Sequence, residues 1–164
     1  MELNEIREKV GHLVDKFSRL SVSGEIKKYN EAQTRNEFIE PLFELLGWDM
    51  RDLENENEVT TEETVSQGRV DLAFRLNNIP VMFLEAKAAK VDLDEWKWAE
   101  QAINYSWNRG VTWAILSDFE GIKVFNAELP PESVQFNLFF ELKYTQYLDN
   151  FDQSLSVTEV ARIL

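Results

Sequence analysis

Two runs with a residue period of two, GRVDLAFRL (68–76) and IPVMFLEAK (79–87), are separated by nothing but Asn77 and Asn78. Alternation places Val70, Leu72, Phe74 and Leu76 on one face and Arg69, Asp71, Ala73 and Arg75 on the other. The Asn-Asn step supplies turn chemistry, so the segment is constrained to an antiparallel hairpin. This hairpin carries charges near its centre. Asp71 lies amid apolar residues on the first strand, and Glu85 and Lys87 follow VMFL on the second. An unpaired ionised group in a protein interior costs several kcal/mol, so charges kept there suggest function. Glu85 and Lys87 are two apart on an extended chain and therefore share a face.

Whether Asp71 joins them depends on register. If Asn77 and Asn78 were the whole loop and the ladder were regular, Asp71 would oppose Leu84 and the two carboxylates would point to opposite faces. A three-residue loop or a single β-bulge shifts the pairing by one and brings Asp71 opposite Glu85. One of the two is therefore expected. Pro80, which has no N–H to donate, favours the longer loop.

Around the hairpin, Leu3, Ile6, Val10, Leu13, Phe17 and Leu20 recur at steps of three and four, predicting a helix over residues 2–20 that SVSG ends. A second helical pattern covers 30–46, with a kink expected at Pro41 and a stop at Gly47. Asp92 and Glu95 resemble a capping arrangement opening a helix that runs to Gly110. VTWAILSD and IKVFNAE read as strands, the first nearly all apolar and so central. Residues 136–142 are apolar without a clear period, and a helix is expected over 146–155. The order is α/β in one domain spanning residues 1–164, a mixed central sheet flanked by helices.

Composition narrows the chemistry. With no cysteine and a single histidine, His12, thiolate sites, a His-rich zinc site and a HExxH helix are all excluded, so a catalytic metal would need oxygen ligands. Magnesium, manganese or calcium fits that description. The net charge of −13 argues against strong intrinsic affinity for nucleic acid. The excess is uneven, however. Residues 69–109 hold six basic and six acidic groups, whereas residues 49–63 carry seven acids against Arg51, as a solvated loop or edge strand would. The charged start MELNEIREKV is unlike a signal peptide, and a cytoplasmic location is expected.

Asp71, thirteen residues, then Glu85-Ala86-Lys87 resembles the motif of the PD-(D/E)XK nuclease superfamily, with Val70 where the nominal motif has proline. The helix and strand order matches that family's restriction-endonuclease-like αβββαβ core. The helix after the hairpin carries Gln101 and Tyr105, similar to the QxxxY element of the RecB-like branch and of type I restriction subunits. NEAQTRNEFIEPLFELLGW resembles the helix that opens the N-terminal nuclease domain of type I restriction enzyme R subunits and related type IIG restriction-modification enzymes. The likeness covers about residues 29–128, with a helix over 2–20 before it and an extension over 134–164 after it.

The resemblance implies a Mg²⁺-dependent DNA endonuclease in which Mn²⁺ can substitute. Asp71, Glu85 and the Ala86 carbonyl would bind the metal, Glu31 would add a ligand directly or through water, and Lys87 would serve the attacking water. Gln101 and Tyr105 would place the scissile strand or buttress Lys87. Glu31 is preferred over Glu37, because Thr34 three residues before Glu37 suggests a capping box. Arg35 would contact phosphate or pair with an acid on its own helix. Trp48 and Trp113 read as core, while Trp96, Trp98 and Trp107 cannot all face inward on one helix. His12 reads as surface.

Neither GxxxxGK[ST] nor a methyltransferase NPPY or DPPY occurs, so no ATP motor or methyl-transfer site is recognisable. The expectation is a nuclease module of a larger enzyme, the end at SVTEVARIL resembling a severed linker or helix. Translocase, methyltransferase or specificity domains or subunits would then supply DNA recognition. The alternative is an inactive copy of the same fold serving as an acidic protein-binding module.

Overall fold

The computed structural model describes residues 2–54, 57–65, 68–131 and 134–151. Helix α1 (Leu3–Ser23) runs three residues beyond the expected end and stops at Gly24, whose left-handed φ of 77° suits a residue without Cβ. The second helical pattern is divided into α2 (Glu31–Thr34), a π-helical turn over Arg35–Ile39 and α3 (Glu40–Leu45). The irregularity therefore lies ahead of Pro41 rather than at it. Pro41 cannot donate a backbone bond, and the wide turn before it lets Glu40 N–H reach Arg35 O, five residues back. No Thr34–Glu37 capping box forms. The box is instead Asn30 with Gln33, and Thr34 Oγ1 donates to Asn30 O.

Strands β1 (Val59–Val65), β2 (Gly68–Leu76), β3 (Ile79–Ala86), β4 (Trp113–Ser117), β5 (Gly121–Asn126) and β6 (Leu138–Lys143) form one sheet in chain order. Every pairing is antiparallel except β3–β4, which helix α4 (Trp96–Arg109) connects as a crossover. The expected αβββαβ order is present. The acidic stretch ends in edge strand β1. The apolar run at 136–142 closes a short helix α5 (Val134–Asn137) and continues as the other edge strand, β6.

Three local expectations need correction. Helix α4 begins at Trp96 with Glu95 as N-cap and no side-chain cap; Asp92 instead accepts Asp94 N–H in the preceding turn. Residues 144–150 form a 3-10 turn (Tyr144–Gln146) and further turns, with Tyr147 buried and its hydroxyl donating to Phe119 O, so that of the helix expected over 146–155 only Phe151 is α-helical among the described residues. The rest of that expected helix, 152–155, lies outside the described residues. The loop that Pro80 was expected to lengthen has only two residues, since Asn77 and Asn78 both adopt positive φ (51° and 67°) and close a tight turn.

The bulge forms instead. Leu76 pairs with Ile79 and Arg75 with Pro80, then the register shifts so that Phe74 meets Met82 and Leu72 meets Leu84. Val81 is the extra residue. Arg75 N–H is directed to Glu58 O on the other side of β2, so its pairing with Pro80 does not need the amide that proline lacks. Carried one step further, the shifted register sets Asp71 opposite Glu85.

Helices cover both faces of the sheet. Phe17, Phe38, Ile39, Leu42 and Phe43 from α1 to α3, with Trp48, pack on Leu72, Phe74, Leu84 and Ile115. On the opposite face Ala99, Ala102 and Ile103 of α4 pack on Ala114, Leu116 and Phe125. Each large side chain so buried contributes roughly 1.5–3 kcal/mol. Val70 leaves its expected face and packs with Ala73, Phe83, Val111 and Tyr105, next to the point where the β1–β2 ladder skips Glu62 and Asp71 and Glu62 adopts a φ of 51°. β4 is buried along its whole length, as expected of a central strand. Trp48 and Trp113 are core; Trp96 and Trp107 are exposed. Among the described residues no helix is long and apolar enough to cross a membrane.

Candidate functional site

At the end of β3 the β2–β3 ladder stops and side chains take over its bonding. Ala86 N–H, left without a strand partner, donates to Asp71 Oδ2 at 2.7 Å. Lys87 N–H donates to Ser117 O on β4, which fixes the backbone between the two charged residues. Glu85 and Lys87 are 7% and 6% exposed, so this is a buried ion pair, with Lys87 Nζ 2.9 Å from Glu85 Oε1. Helix α4 lies alongside. Gln101 Nε2 donates to the same Glu85 Oε1 at 2.9 Å and to Tyr105 OH at 3.2 Å. Tyr105 OH in turn presses on Gly68, where a Cβ would sit 2.6 Å from it; glycine at the start of β2 leaves room for that ring.

From the other helical layer, Arg35 reaches the site at the π-helical turn. Its Nη1 lies 3.9 Å from Asp71 Oδ1 and its Nε lies 3.2 Å from Glu40 Oε1. Pairing with an acid of its own helical segment, one of the two expected roles, is therefore observed. Exposed Glu31, in the first turn of α2, is electrostatically coupled to Asp71 and Lys87. Glu37 is held elsewhere by Lys16 Nζ (2.9 Å) and Tyr29 OH (3.0 Å).

Negative charge is in excess here. Burial, and then the charge of Asp71, push the Glu85 carboxyl up to about 7, against the opposing pull of Lys87. Burial also raises Asp71, although the Ala86 N–H, Lys87 and Arg35 act in the other direction. Glu31, although exposed as a residue, is raised by partial desolvation of its carboxyl and by the charge of Asp71. Glu85 Oε2 is buried without a hydrogen-bond partner. Among the described residues no three Asp, Glu or His side chains are gathered closely enough to hold a metal ion as they stand. The expected donor set of Asp71, Glu85 and the Ala86 carbonyl contains only two such side chains, which Ala86 N–H ties together by its bond to Asp71.

Residues 30–141, more than half of the chain, match the family described as type I restriction enzyme R protein N terminus (HSDR_N). The chain belongs to that family. It is 29% identical over 161 residues to the type II restriction enzyme and methyltransferase RM.Eco57I of Escherichia coli, covering 90% of this chain and 16% of that enzyme. A solved fragment described as an HsdR subunit of a type I restriction enzyme from Vibrio vulnificus YJ016 aligns with a TM-score of 0.49 at 19% identity. That alignment covers 60% of this chain and 21% of the other. The chain thus spans a small part of the restriction enzymes it resembles.

Asp71, Glu85, Lys87, Gln101 and Tyr105 are linked directly or through Ala86 N–H, and Glu31 stands at the rim. Two neighbours make contacts that the sequence reading did not specify: Arg35, expected at phosphate or at an acid of its own helix, and Trp98. Arg35 reaches Asp71 across the layers, which no spacing along the chain reveals. Trp98 has its ring centroid 4.6 Å from Lys87 Nζ, and its position one turn before Gln101 was the available signal.

Proposed function

We propose that this chain is the nuclease module of a restriction-modification enzyme, hydrolysing phosphodiester bonds in DNA. One observation carries the reading: at a strand end four carboxylates (Asp71, Glu85, Glu31 and Glu40) meet two cations (Lys87 and Arg35), and Glu85 Oε2 is buried without a partner. A divalent cation fits that deficit, and the donors are all oxygen, which suits Mg²⁺, with Mn²⁺ as a substitute. Asp71, Glu85 and the Ala86 carbonyl would hold it, with Glu31 as a further ligand directly or through water. When bound, the ion would neutralise phosphate charge and lower the pKa of a coordinated water.

The chain's own residues do the rest. Lys87, fixed at its backbone by Ser117 and at its ammonium by Glu85, orients the attacking water and stabilises charge developing on the phosphate. Gln101 holds Glu85 in place from α4, and Tyr105 supports Gln101. With a net charge of −13, DNA affinity and sequence choice fall to further domains or subunits: translocase, methyltransferase or specificity elements. A cytoplasmic location follows from acting on DNA in the cell.

The test is cleavage of supercoiled plasmid with Mg²⁺ or Mn²⁺. Wild type converts the plasmid to nicked or linear forms, and Asp71→Ala and Lys87→Ala do not. Cleavage that persists in both variants rejects the site.

A further inference from the structure

Lys87 is an ammonium on a flexible four-carbon stem, only 6% exposed, with one side-chain hydrogen bond, to Glu85 Oε1. Burying such a group is costly unless other interactions compensate. The indole of Trp98 provides one: Lys87 Nζ lies 4.6 Å from the ring centroid, within the range of cation–π attraction. Trp98 Nε1 is buried with no hydrogen-bond partner, so the residue contributes its ring face and not its N–H. Lys97 Nζ also lies 4.4 Å from this ring, but its side chain is 60% exposed and paired with Glu95 at 2.6 Å, where solvent weakens the attraction.

Trp98, Gln101 and Tyr105 are successive members of one stripe on α4. Gln101 grips the carboxylate of the Glu85–Lys87 pair, and Trp98 meets the ammonium. We propose that Trp98 is a positioning residue for Lys87, holding the ammonium against its ring face so that the remaining N–H groups are presented to water and phosphate. This rests on the nuclease reading above. An ammonium held by a second carboxylate instead would be locked into hydrogen bonds. A ring face restrains it while leaving its hydrogens available.

The experiment has a metal-free arm and a cleavage arm. In ¹³C-lysine-labelled protein, with Lys87 assigned through Lys87→Arg, the ring current should displace the Lys87 ε-methylene protons upfield. Trp98→Phe keeps most of the displacement; Trp98→Leu and Trp98→Met lose it. In Mn²⁺-dependent plasmid cleavage, Trp98→Leu lowers kcat about tenfold with KM for DNA unchanged, and Trp98→Phe stays within about threefold of wild type. Lys87 protons at the position of an exposed lysine, or unmoved in Trp98→Leu, overturn the proposal, as does an unchanged kcat in Trp98→Leu while Lys87→Ala is inactive. If Lys87→Ala cuts like wild type, the nuclease reading fails instead, and the proton displacement alone decides the contact.

Discussion

Two charged clusters border the β2–β3 hairpin, and they are built differently. On the β1–β2 side, Glu63 is met by the Arg75 guanidinium and the Thr60 hydroxyl, with Arg109 3.9 Å away. Burial acts to raise its carboxyl, but the bond from Arg75, then Thr60 and the two guanidinium charges, bring it below the usual glutamate range. At the β3 end, Glu85 has only Lys87 and Gln101, both on one oxygen, and is pushed up to about 7. The first cluster is balanced within the protein. The second has more carboxylates than cations once Glu31 and Glu40 are counted and leaves an oxygen unsatisfied, the feature on which the proposed cation site rests.

The largest expected effect separates the clusters by activity. Lys87→Ala should lower plasmid cleavage by about 10³-fold, whereas Glu63→Gln should stay within about threefold of wild type. Equal losses in the two would erase the distinction. Next comes a pH effect from a third buried carboxylate. Asp118, 2% exposed, accepts Gly121 N–H, yet burial pushes it up to about 7. A folded-state pKa raised above its unfolded value means that stability falls as pH rises from about 4 to about 7 and is level above that. Asp118→Asn keeps the acceptor and removes the charge. It should therefore gain up to about 3 kcal/mol at pH 8 and far less at pH 5, measured by urea unfolding. An equal gain at both values would mean that the carboxyl is not held protonated. Smallest is the balanced cluster itself: Glu63→Gln should cost about 2 kcal/mol at pH 8, since it strips a partly buried Arg75 of its partner. Because the Glu63 carboxyl sits below its ordinary value, that loss should shrink as pH falls through the normal glutamate range.

Much of this arrangement was legible because it follows from periodicity. The hairpin, the central strand β4, the stop of α4 at Gly110 and the crossover order all rest on local patterns. The shifted register was implied as well, since only it lets Asp71 meet Glu85, although the reading favoured a longer loop over the bulge that forms. Its location was not, because Val81 looks like any strand valine and the left-handed pair Asn77 and Asn78 concealed that the loop could stay short. The π-helical turn was hidden for a similar reason: proline signals an irregularity, while tertiary packing chooses where it falls. At the site, the strand residues were readable from chemistry that an ordinary hairpin would not carry. The contacts of Arg35 with Asp71 and of Trp98 with Lys87 were not, since each joins a helix to the β2–β3 hairpin through tertiary packing.

Calorimetric titration with Mn²⁺ tests the central claim most directly, as it needs neither DNA affinity nor partner domains. Wild type should bind the ion with a heat that disappears in Glu85→Ala and survives in Glu63→Gln. Binding that is unchanged by Glu85→Ala, or lost equally in Glu63→Gln, would contradict the assignment of the β3 end as the ion's site.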